Sequence, residues 1–314
     1  MTLAHVVSVS GGKDSTALYL RAMERGLPFR AVFADTGNEH EWTYDFVREL
    51  PGRTGGPEIQ WVKADFSARL AKKRKFVARV WPIKGVPMDK VEKALALLHP
   101  TGNPFLDLCL LKTRFPSARA RFCTDDTKLV PIFEQVYRPI VDTGTTLISW
   151  QGVRHEESLA RADLPRLQRI NPVPFSMPAA LRALGENWKT YAYRPLIEWT
   201  VDDVFAYHRK HGIAHNPLYD AGMGRVGCMP CIMCRKDEMR AIADRFPDHI
   251  DRIADWEALV SDVSKRGNST FFNIQDDPLL SNGWDKDDYD WSLENTGIRA
   301  RVEWSRTSRG GAAI

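Results

Sequence analysis

The sequence predicts an α/β protein with a doubly wound, mostly parallel sheet. Apolar segments of strand length alternate with segments of helical pattern over the first 65 residues, in the order β-α-β-α-β. Strands in that order run parallel, and the helices that join them cover both faces of the sheet. A glycine pair directly after the first apolar segment is typical of a turn from a strand into a helix.

The elements follow in order along the chain. Strands are predicted at residues 5–10, 29–34, 59–62 and 146–150, and helices at residues 14–25, 40–50, 91–98, 128–137, 201–211, 235–245 and 249–264. Gly26 and Pro28 end the first helix, and Pro51 with Gly52 stops the second. Thr200 is the expected N-cap of the helix that begins at the next residue.

The predicted domain organisation has two parts. Residues 1–235 form the sheet domain, with an insertion at about residues 66–122, and residues 236–314 form a helical C-terminal cap whose tail is frayed from Ser305 onward. The insertion interrupts the strand-helix order and carries 13 Lys and Arg against 3 acidic residues. A later stretch, residues 276–290, is acidic instead.

The composition excludes some classes of protein. With 314 residues, 43% of them hydrophobic, the chain can bury one large core or two modest ones. A net charge of +4 is mild and does not by itself indicate nucleic-acid binding. Because we find neither a membrane-spanning apolar run nor a signal peptide, we expect a cytoplasmic protein without a membrane partner. Five cysteines in such a protein predict metal ligands or redox groups rather than disulfides.

The strongest functional signal is the loop S-G-G-K-D-S at residues 10–15. Its two glycines let backbone N–H groups point inward as an anion site, and the helix that follows adds its dipole. Lys13 supplies a mobile positive charge, while Ser10 and Ser15 offer hydroxyl donors. The spacing differs from the G-x-x-x-x-G-K-[ST] phosphate loop. We predict that this loop grips the phosphates of an adenine nucleotide; the alternative is a glycine-rich turn without a ligand.

This loop resembles the S-G-G-x-D-S signature of the PP-loop ATP pyrophosphatase superfamily. Its members usually bind ATP, break the bond between the α and β phosphates and release pyrophosphate. Later segments resemble the phosphoadenylyl-sulfate (PAPS) reductase family of that superfamily: G-x-R-x-x-E-S from Gly152, R-P-L-x-x-W-x-x-x-D-V from Arg194 and N-P-L-Y from Asn216. The resemblance is strongest to phage- and prophage-type proteins and DNA phosphorothioation enzymes. It covers most of residues 1–245 and implies an adenine nucleotide alpha hydrolase-like fold.

The resemblance also implies the residues of a nucleotide site. The catalytic candidates are Lys13, Asp14 and Arg154. The implied nucleotide contacts are Ser10, Gly11, Gly12, Lys13, Asp14, Ser15, Asp35, Thr36, Gly37, Gly152, Arg154 and Arg194. Arginine suits such contacts because a guanidinium donates two hydrogen bonds to a phosphate at once.

The segment A-D-T-G-N-E, residues 34–39, follows the second strand and lies at the same sheet edge as the loop. It is similar to D-T-G-x-E segments that lie beside the nucleotide in PAPS reductase relatives. Asp35 would accept a hydrogen bond from ribose or adenine, or hold Mg²⁺; it equally suits a turn that caps the next helix. For Glu39 we expect only the turn.

Three cysteines, Cys228, Cys231 and Cys234, form a C-x-x-C-x-x-C run whose spacing presents pairs of sulfurs to one metal or cluster. Residues 123–131 resemble the C-C-x-x-R-K-V-x-P segment of 4Fe–4S adenylyl-sulfate (APS) reductases, with Thr124 in place of the second cysteine.

The resemblance implies a 4Fe–4S cluster held by Cys109, Cys123, Cys228 and Cys231. Cys234 is the alternative to Cys109 as the fourth ligand. A zinc ion is the alternative to the cluster, because its ligands would show the same spacing.

These observations favour an ATP-using sulfur-transfer enzyme of the PAPS reductase family, with ATP, Mg²⁺ and the cluster as cofactors. ATP would be split into pyrophosphate and an adenylylated acceptor, which a sulfur nucleophile then attacks. A cysteine desulfurase or another donor would supply the sulfur. The basic insertion would contact a nucleic acid, which is a candidate acceptor.

Two alternatives stay open. The first is a thiol-dependent PAPS or APS reductase; such enzymes carry a nucleophilic cysteine in a C-terminal E-C-G-[LI]-H tail, and this sequence has no cysteine after Cys234. The second is a non-catalytic module that binds nucleotide and nucleic acid. The intact Lys13, Asp14 and Ser15 argue against that second alternative.

Overall fold

The central sheet has six strands. The computed structural model describes residues 2–272 and 297–308. The strands are β1 (Leu3–Val9), β2 (Phe29–Asp35), β3 (Ile59–Lys63), β4 (Thr146–Trp150), β5 (Leu167–Arg169) and β6 (Thr190–Tyr193). Their spatial order is β3-β2-β1-β4-β6-β5, and all neighbours are parallel except β5 and β6. The predicted mostly parallel α/β sheet is confirmed.

Helices connect and flank these strands. They are α1 (Lys13–Glu24), α2 (Glu41–Thr54), α3 (Ser67–Ile83), α4 (Met88–Leu97), α5 (Pro104–Lys112), a continuous helical segment at residues 122–141, and the helices Ala179–Gly185, Val201–Lys210, Lys236–Arg245, Pro247–Asp262 and Ile298–Arg306. Two π-helical turns, Asp125–Leu129 and Phe133–Tyr137, interrupt the segment at residues 122–141. Among the described residues, no helix combines the length and the apolar character needed to cross a membrane.

Both faces of the sheet are buried. Val7 of β1 packs into a core with Leu18 of α1 and Val47 of α2, whereas the adjacent Val6 packs into a second core with Val136. Neighbouring side chains of a strand point to opposite faces, so these two cores lie on opposite sides of the sheet. This is why the strand sequences are nearly continuous apolar runs.

The second helix passes its predicted end. Residue 50 was the expected stop, but α2 continues through Pro51 to Thr54. A proline removes one backbone donor, and here that loss does not terminate the helix. The helix ends at Gly55, which adopts the left-handed conformation with φ of +67°.

Several elements are absent from the sequence prediction: α3, α5, β5 and β6. Helix α3 buries only Leu70, Val77 and Trp81 among many charged residues, and β5 exposes every side chain. Periodicity predicts an element only when apolar and polar faces contrast, and that contrast is weak here. By comparison, Thr200 accepts from Asp203 N at 3.1 Å and caps its helix as predicted.

The C-terminal helices begin and end close to their predicted bounds. Lys236–Arg245 and Pro247–Asp262 each lie within two residues of the prediction. Helix Ile298–Arg306 enters the part predicted to be frayed, and Ser305 in it is fully buried. The acidic residues 276–290 and the tail from residue 309 lie outside the described residues.

The chain divides into two compact units. The first spans residues 1–64 and 125–228, and the second spans residues 65–124 and 229–314. The first unit contains the sheet. In the second, the ring of Phe105 lies 5.8 Å from that of Trp256 and 6.1 Å from that of Phe271. Most of the predicted insertion and of the predicted cap belong to the second unit, while the boundary predicted at residue 235 stays a prediction.

Candidate functional site

A tight loop joins β1 to α1. Gly11 adopts φ of +74°, and a Cβ there would lie 2.7 Å from Thr43 Cγ2, so only glycine fits without displacing α2. Ser15 Oγ accepts from Ser10 N at 3.0 Å and from Ser10 Oγ at 3.1 Å, and donates to Gly12 O at 2.9 Å. The two serines therefore fix the shape of the loop. Their predicted contacts with phosphate stay a prediction.

Three side chains from a much later part of the chain hold this loop: the buried Asn216 and His208 and the half-buried Tyr219. Asn216 Nδ2 donates to Gly11 O at 3.1 Å, and Tyr219 Oη accepts from Lys13 N at 2.9 Å. His208 Nε2 donates to Lys13 O at 2.8 Å, and burial lowers the pKa of His208. Asn216 and Tyr219 belong to the N-P-L-Y segment, but the sequence does not indicate their contact with the loop. For His208 the sequence offers no signal at all.

An ion-pair network surrounds Asp14 at the start of α1. Asp14 Oδ1 lies 2.6 Å from Arg154 Nε, and Asp14 Oδ2 lies 3.2 Å from Lys13 Nζ. Arg154 also pairs with Glu156 and is only 4% exposed. Burial lowers the pKa of Arg154, but Asp14 and Glu156 outweigh burial, so the pKa is raised. Arg154 therefore holds Asp14 in position through this ion pair.

Gly152 brings the loop after β4 against the start of α1. A Cβ at this position would lie 3.1 Å from Asp14 O and 3.4 Å from Ser15 N. A larger residue would therefore push the loop after β4 and the start of α1 apart. Its predicted contact with the nucleotide stays a prediction, and the close approach is the role that the geometry gives it.

The end of β2 forms a turn next to the loop. Asp35 Oδ1 accepts from Gly37 N at 2.9 Å and from Tyr44 Oη at 2.9 Å, and Lys63 Nζ lies 3.8 Å from Asp35 Oδ2. Gly37 adopts φ of +77°. The turn role considered for Asp35 is therefore present. The predicted contact of Asp35 with ribose, adenine or Mg²⁺ stays a prediction.

Glu39 has a larger role than the turn expected for it. It holds the turn by accepting from Thr36 Oγ1 at 2.7 Å, yet its side chain is 3% exposed. Tyr44 Oη donates to it at 3.1 Å, Lys128 Nζ lies 4.0 Å away and Cys228 Sγ lies 3.7 Å away. Burial, then the charges of Glu39 and Asp35, raise the pKa of Tyr44. Thr36 donates its hydroxyl to Glu39, and its predicted contact with the nucleotide stays a prediction.

Arg194, directly after β6, is a buried cation with neutral partners. Its Nε donates to Gln151 Oε1 at 3.0 Å, and its Nη1 donates to Pro165 O at 2.9 Å and to Gln168 Oε1 at 3.2 Å. The side chain is 5% exposed, and burial lowers its pKa. No carboxylate of residues 2–272 or 297–308 forms an ion pair with it. An anionic group of a ligand would compensate this charge.

The five cysteines are thiols, and all lie in the described part of the chain. In the second unit, Cys109 is fully buried, and burial followed by the nearby Cys123 thiol raises its pKa. Cys231 Sγ accepts from the backbone N–H of Met233 at 3.4 Å. Cys234 Sγ donates to the carbonyl of its neighbour Arg235 at 3.6 Å. Cys109, Cys123, Cys231 and Cys234 belong to the second unit and Cys228 belongs to the first, so the predicted set of four ligands stays a prediction. Thiolate sulfur is a soft donor that suits zinc or an iron–sulfur cluster.

Comparison with known proteins gives one family. The model of the phosphoadenosine phosphosulfate reductase domain matches residues 4–234. A protein of Escherichia phage 186, described as an uncharacterized 37.8 kDa protein in the gpa 5' region, is 43% identical over 318 residues, or 98% of this chain and 90% of that protein.

Two reductases are more distant. An adenosine 5'-phosphosulfate reductase of Oceanobacillus iheyensis is 27% identical over 110 residues, and the match spans 35% of this chain and 40% of that protein. The crystal structure of the phosphoadenylyl-sulfate reductase of Candida auris, a phosphate complex, aligns with a TM-score of 0.42 and 18% identity. That alignment covers 74% of this chain and 83% of that one.

Proposed function

The chain belongs to the phosphoadenosine phosphosulfate reductase family, and from that membership we propose that it is an ATP-using enzyme of sulfur transfer. The nucleotide binds at residues 10–15, its α–β phosphate bond breaks, and pyrophosphate leaves. The observation that carries the proposal is the Asp14 carboxylate, which Arg154 and Lys13 hold at the mouth of the loop.

A carboxylate beside an anion site repels a bare phosphate. It becomes useful when a cation lies between the two, and Mg²⁺ is typically held by one or two carboxylates together with substrate phosphates. Arg154 is bound to Asp14 Oδ1, while Oδ2 faces the ammonium of Lys13. This arrangement suits the triphosphate of ATP with Mg²⁺ better than it suits a nucleotide that binds without a metal.

An oxygen of the acceptor attacks the α-phosphorus of ATP, and the α–β bridging oxygen leaves with its electron pair as part of pyrophosphate. Lys13 and the N–H groups at the start of α1 stabilise the negative charge that develops there. A sulfur nucleophile then attacks the adenylylated centre of the acceptor, and AMP leaves. Arg194, which has no carboxylate partner among the described residues, supplies a further positive charge for the nucleotide.

The cysteines would hold a 4Fe–4S cluster, with Cys109, Cys123, Cys228 and Cys231 as ligands; such a cluster supplies electron-transfer or sulfur chemistry. The closeness of Cys109 to Cys123 supports Cys109 as the fourth ligand. Cys234, whose thiol donates to a backbone carbonyl, is the alternative ligand, and zinc is the alternative metal. A cysteine desulfurase is the proposed sulfur donor, and a nucleic acid is the proposed acceptor.

The test is pyrophosphate release from ATP and Mg²⁺, measured with candidate acceptors. Asp14→Asn keeps the shape of the side chain but removes its charge, and we expect pyrophosphate release to fall by roughly 10²-fold. The matched control is Asp45→Asn on α2, where the exposed carboxylate pairs with Arg48 at 2.9 Å. Its rate should match that of the unmodified protein.

A second candidate function follows from the similarity to APS reductases. In that case the loop binds PAPS or APS, and a thiol reductant releases sulfite. Sulfite formation from either sulfonucleotide, combined with no pyrophosphate from ATP with any acceptor, would reject the first proposal in favour of this one.

A further inference from the structure

Helix α3 turns its apolar side chains inward and its charges outward. Leu70, Val77 and Trp81 are buried at a spacing of seven and four residues, which defines one stripe along the helix. On the outside, Phe76 is 42% exposed and Ile83 is 82% exposed. An aromatic ring in the middle of a solvent-facing surface is a feature that the packing of this helix does not explain.

Three cations surround that ring. Lys72 precedes Phe76 by one helical turn and Arg79 follows it by one turn, so both lie on its side of the helix. Lys75 is exposed on the same surface. No ion pair among the residues that the structure describes includes Lys72, Lys75 or Arg79. We call Lys72, Lys75, Phe76 and Arg79 the α3 surface.

A further pair of cations increases the positive charge beside the α3 surface. Lys73 Nζ lies 5.9 Å from the centre of the Phe76 ring, and Lys265 Nζ lies 5.6 Å from the centre of the Trp81 ring. Burial, and then the charge of Lys265, lowers the pKa of Lys73. A bound polyanion would relieve the repulsion between these two ammonium groups.

We infer that the α3 surface binds single-stranded nucleic acid, with Phe76 stacked on an unpaired base and Lys72, Lys75 and Arg79 on the phosphates. Cations that track a backbone, combined with an exposed aromatic ring, are how single strands are bound without sequence preference. That such a strand is the acceptor rests on the proposed function; that it binds does not.

Two other polyanions, a membrane surface and a nucleic-acid duplex, fit the α3 surface less well. A membrane surface requires a helix with an exposed apolar face, but the apolar stripe of α3 is buried and only Phe76 and Ile83 remain outside. A duplex satisfies the cations yet offers no unpaired base to Phe76. The aromatic ring is therefore what favours a single strand.

The experiment measures fluorescence anisotropy of a labelled 20-nucleotide oligothymidylate with the full chain, without ATP. A duplex of equal length and vesicles of phosphatidylserine and phosphatidylcholine are the competing ligands. For Phe76→Ala we expect single-strand affinity to fall about 5- to 150-fold, as for loss of one stacked base, with duplex affinity unchanged.

The triple variant Lys72→Gln, Lys75→Gln, Arg79→Gln tests the phosphate contacts. Each contact contributes about 0.7 to the salt dependence for a single strand, so the slope of log affinity against log salt should decrease by about 2. The matched control is Arg30→Gln, Lys189→Gln, Arg209→Gln, which removes three exposed cations of the first unit. This control should keep the slope of the unmodified protein to within about half a unit.

Two results would overturn the inference. One is tighter binding of the duplex or the vesicles than of the single strand. The other is equal behaviour of the α3 variants and the control triple, since a non-specific charge effect does not depend on position. All seven substituted side chains are exposed, so folding of the variants is checked by unchanged thermal unfolding. Pyrophosphate release is assayed separately, so either proposal can fail while the other stands.

Discussion

Asn216 illustrates how much the loop at residues 10–15 depends on single side chains outside it. Its amide donates to Gly11 O, and its Oδ1 accepts from Leu218 N at 3.0 Å, so both halves of the side chain are used. The residue is 1% exposed. A buried carbonyl without a donor is costly, and this is the interaction that keeps Gly11 O satisfied.

Asn216→Ala should therefore lower the free energy of unfolding by about 1–3 kcal/mol, because it leaves Gly11 O and Leu218 N without their partners. It should also raise the KM for ATP, since the loop loses its support. Urea unfolding and pyrophosphate kinetics measure the two effects. Asn187→Ala, at an exposed site, is the control and should change the unfolding free energy by less than about 0.5 kcal/mol. Equal stability of both variants would contradict this account.

For single residues, the sequence predicts which ones belong to the site better than it predicts which side chains they contact. The loop and its glycines are recognisable because residue type, spacing and the strand-helix context agree. The contacts of Glu39 are not recognisable, because its neighbour Cys228 lies 189 positions later in the chain. Arg154 is recognised as a member of the site, but its bond to Asp14 spans 140 positions and appears only in the fold.

Among the elements, α2 shows where local rules are strong and where they are weak. Pro51 is a helix-breaking residue, yet the helix continues for another turn to Thr54. Gly55 ends it because φ of +67° suits glycine far better than any other residue. Gly52 and Gly55 lie three positions apart but differ in backbone conformation. Gly52 lies within the helix, whereas Gly55 after it is left-handed.

Gly55→Ala should lower the free energy of unfolding by about 1 kcal/mol, because an L side chain is strained in the left-handed region. Gly52→Ala should raise it by about 0.5–1 kcal/mol, since alanine is the better residue within a helix. A Cβ meets no atom within 4 Å at either position, so packing does not confuse the comparison. Urea midpoints measure both changes, and the same sign for the two variants would refute the argument.

The strands β1 to β4 are predicted close to their observed bounds because burial on both faces leaves a continuous apolar run. The short antiparallel β5 has no such run, and α3 hides three apolar residues among cations. Elements whose stability comes from neighbours distant in sequence carry little local pattern.

For the whole molecule, the cysteines raise the question of whether they hold the proposed metal centre, and of which metal it contains. Cys109 and Cys123 both belong to the second unit, although 14 positions separate them. Spacing in the sequence leaves zinc open as the alternative to the cluster. Metal analysis of the purified protein distinguishes zinc from an iron–sulfur cluster.

Protein purified without oxygen should contain about four irons per chain and be brown. Cys109→Ala should lose the iron, whereas Cys234→Ala should keep it, because Cys234 is the alternative rather than the proposed ligand. Iron analysis and the visible absorption spectrum measure this. A colourless protein with one zinc per chain would reject the cluster, and loss of iron only in Cys234→Ala would exchange the two ligands.

The loop that follows β1 is synthesised early, but the residues that support it are synthesised much later. Gly11 O gains its hydrogen bond only after Asn216, 205 positions later, has been added to the chain. Lys13 N gains its hydrogen bond only after Tyr219, 206 positions later. A ribosome that adds about 5–20 residues each second needs roughly 10–40 seconds to cover that distance. During translation the nascent chain thus carries the loop's sequence without its support. The proposed nucleotide site is therefore complete only when the chain has passed Tyr219, and under the proposed function a truncated translation product would not compete with the finished protein for ATP.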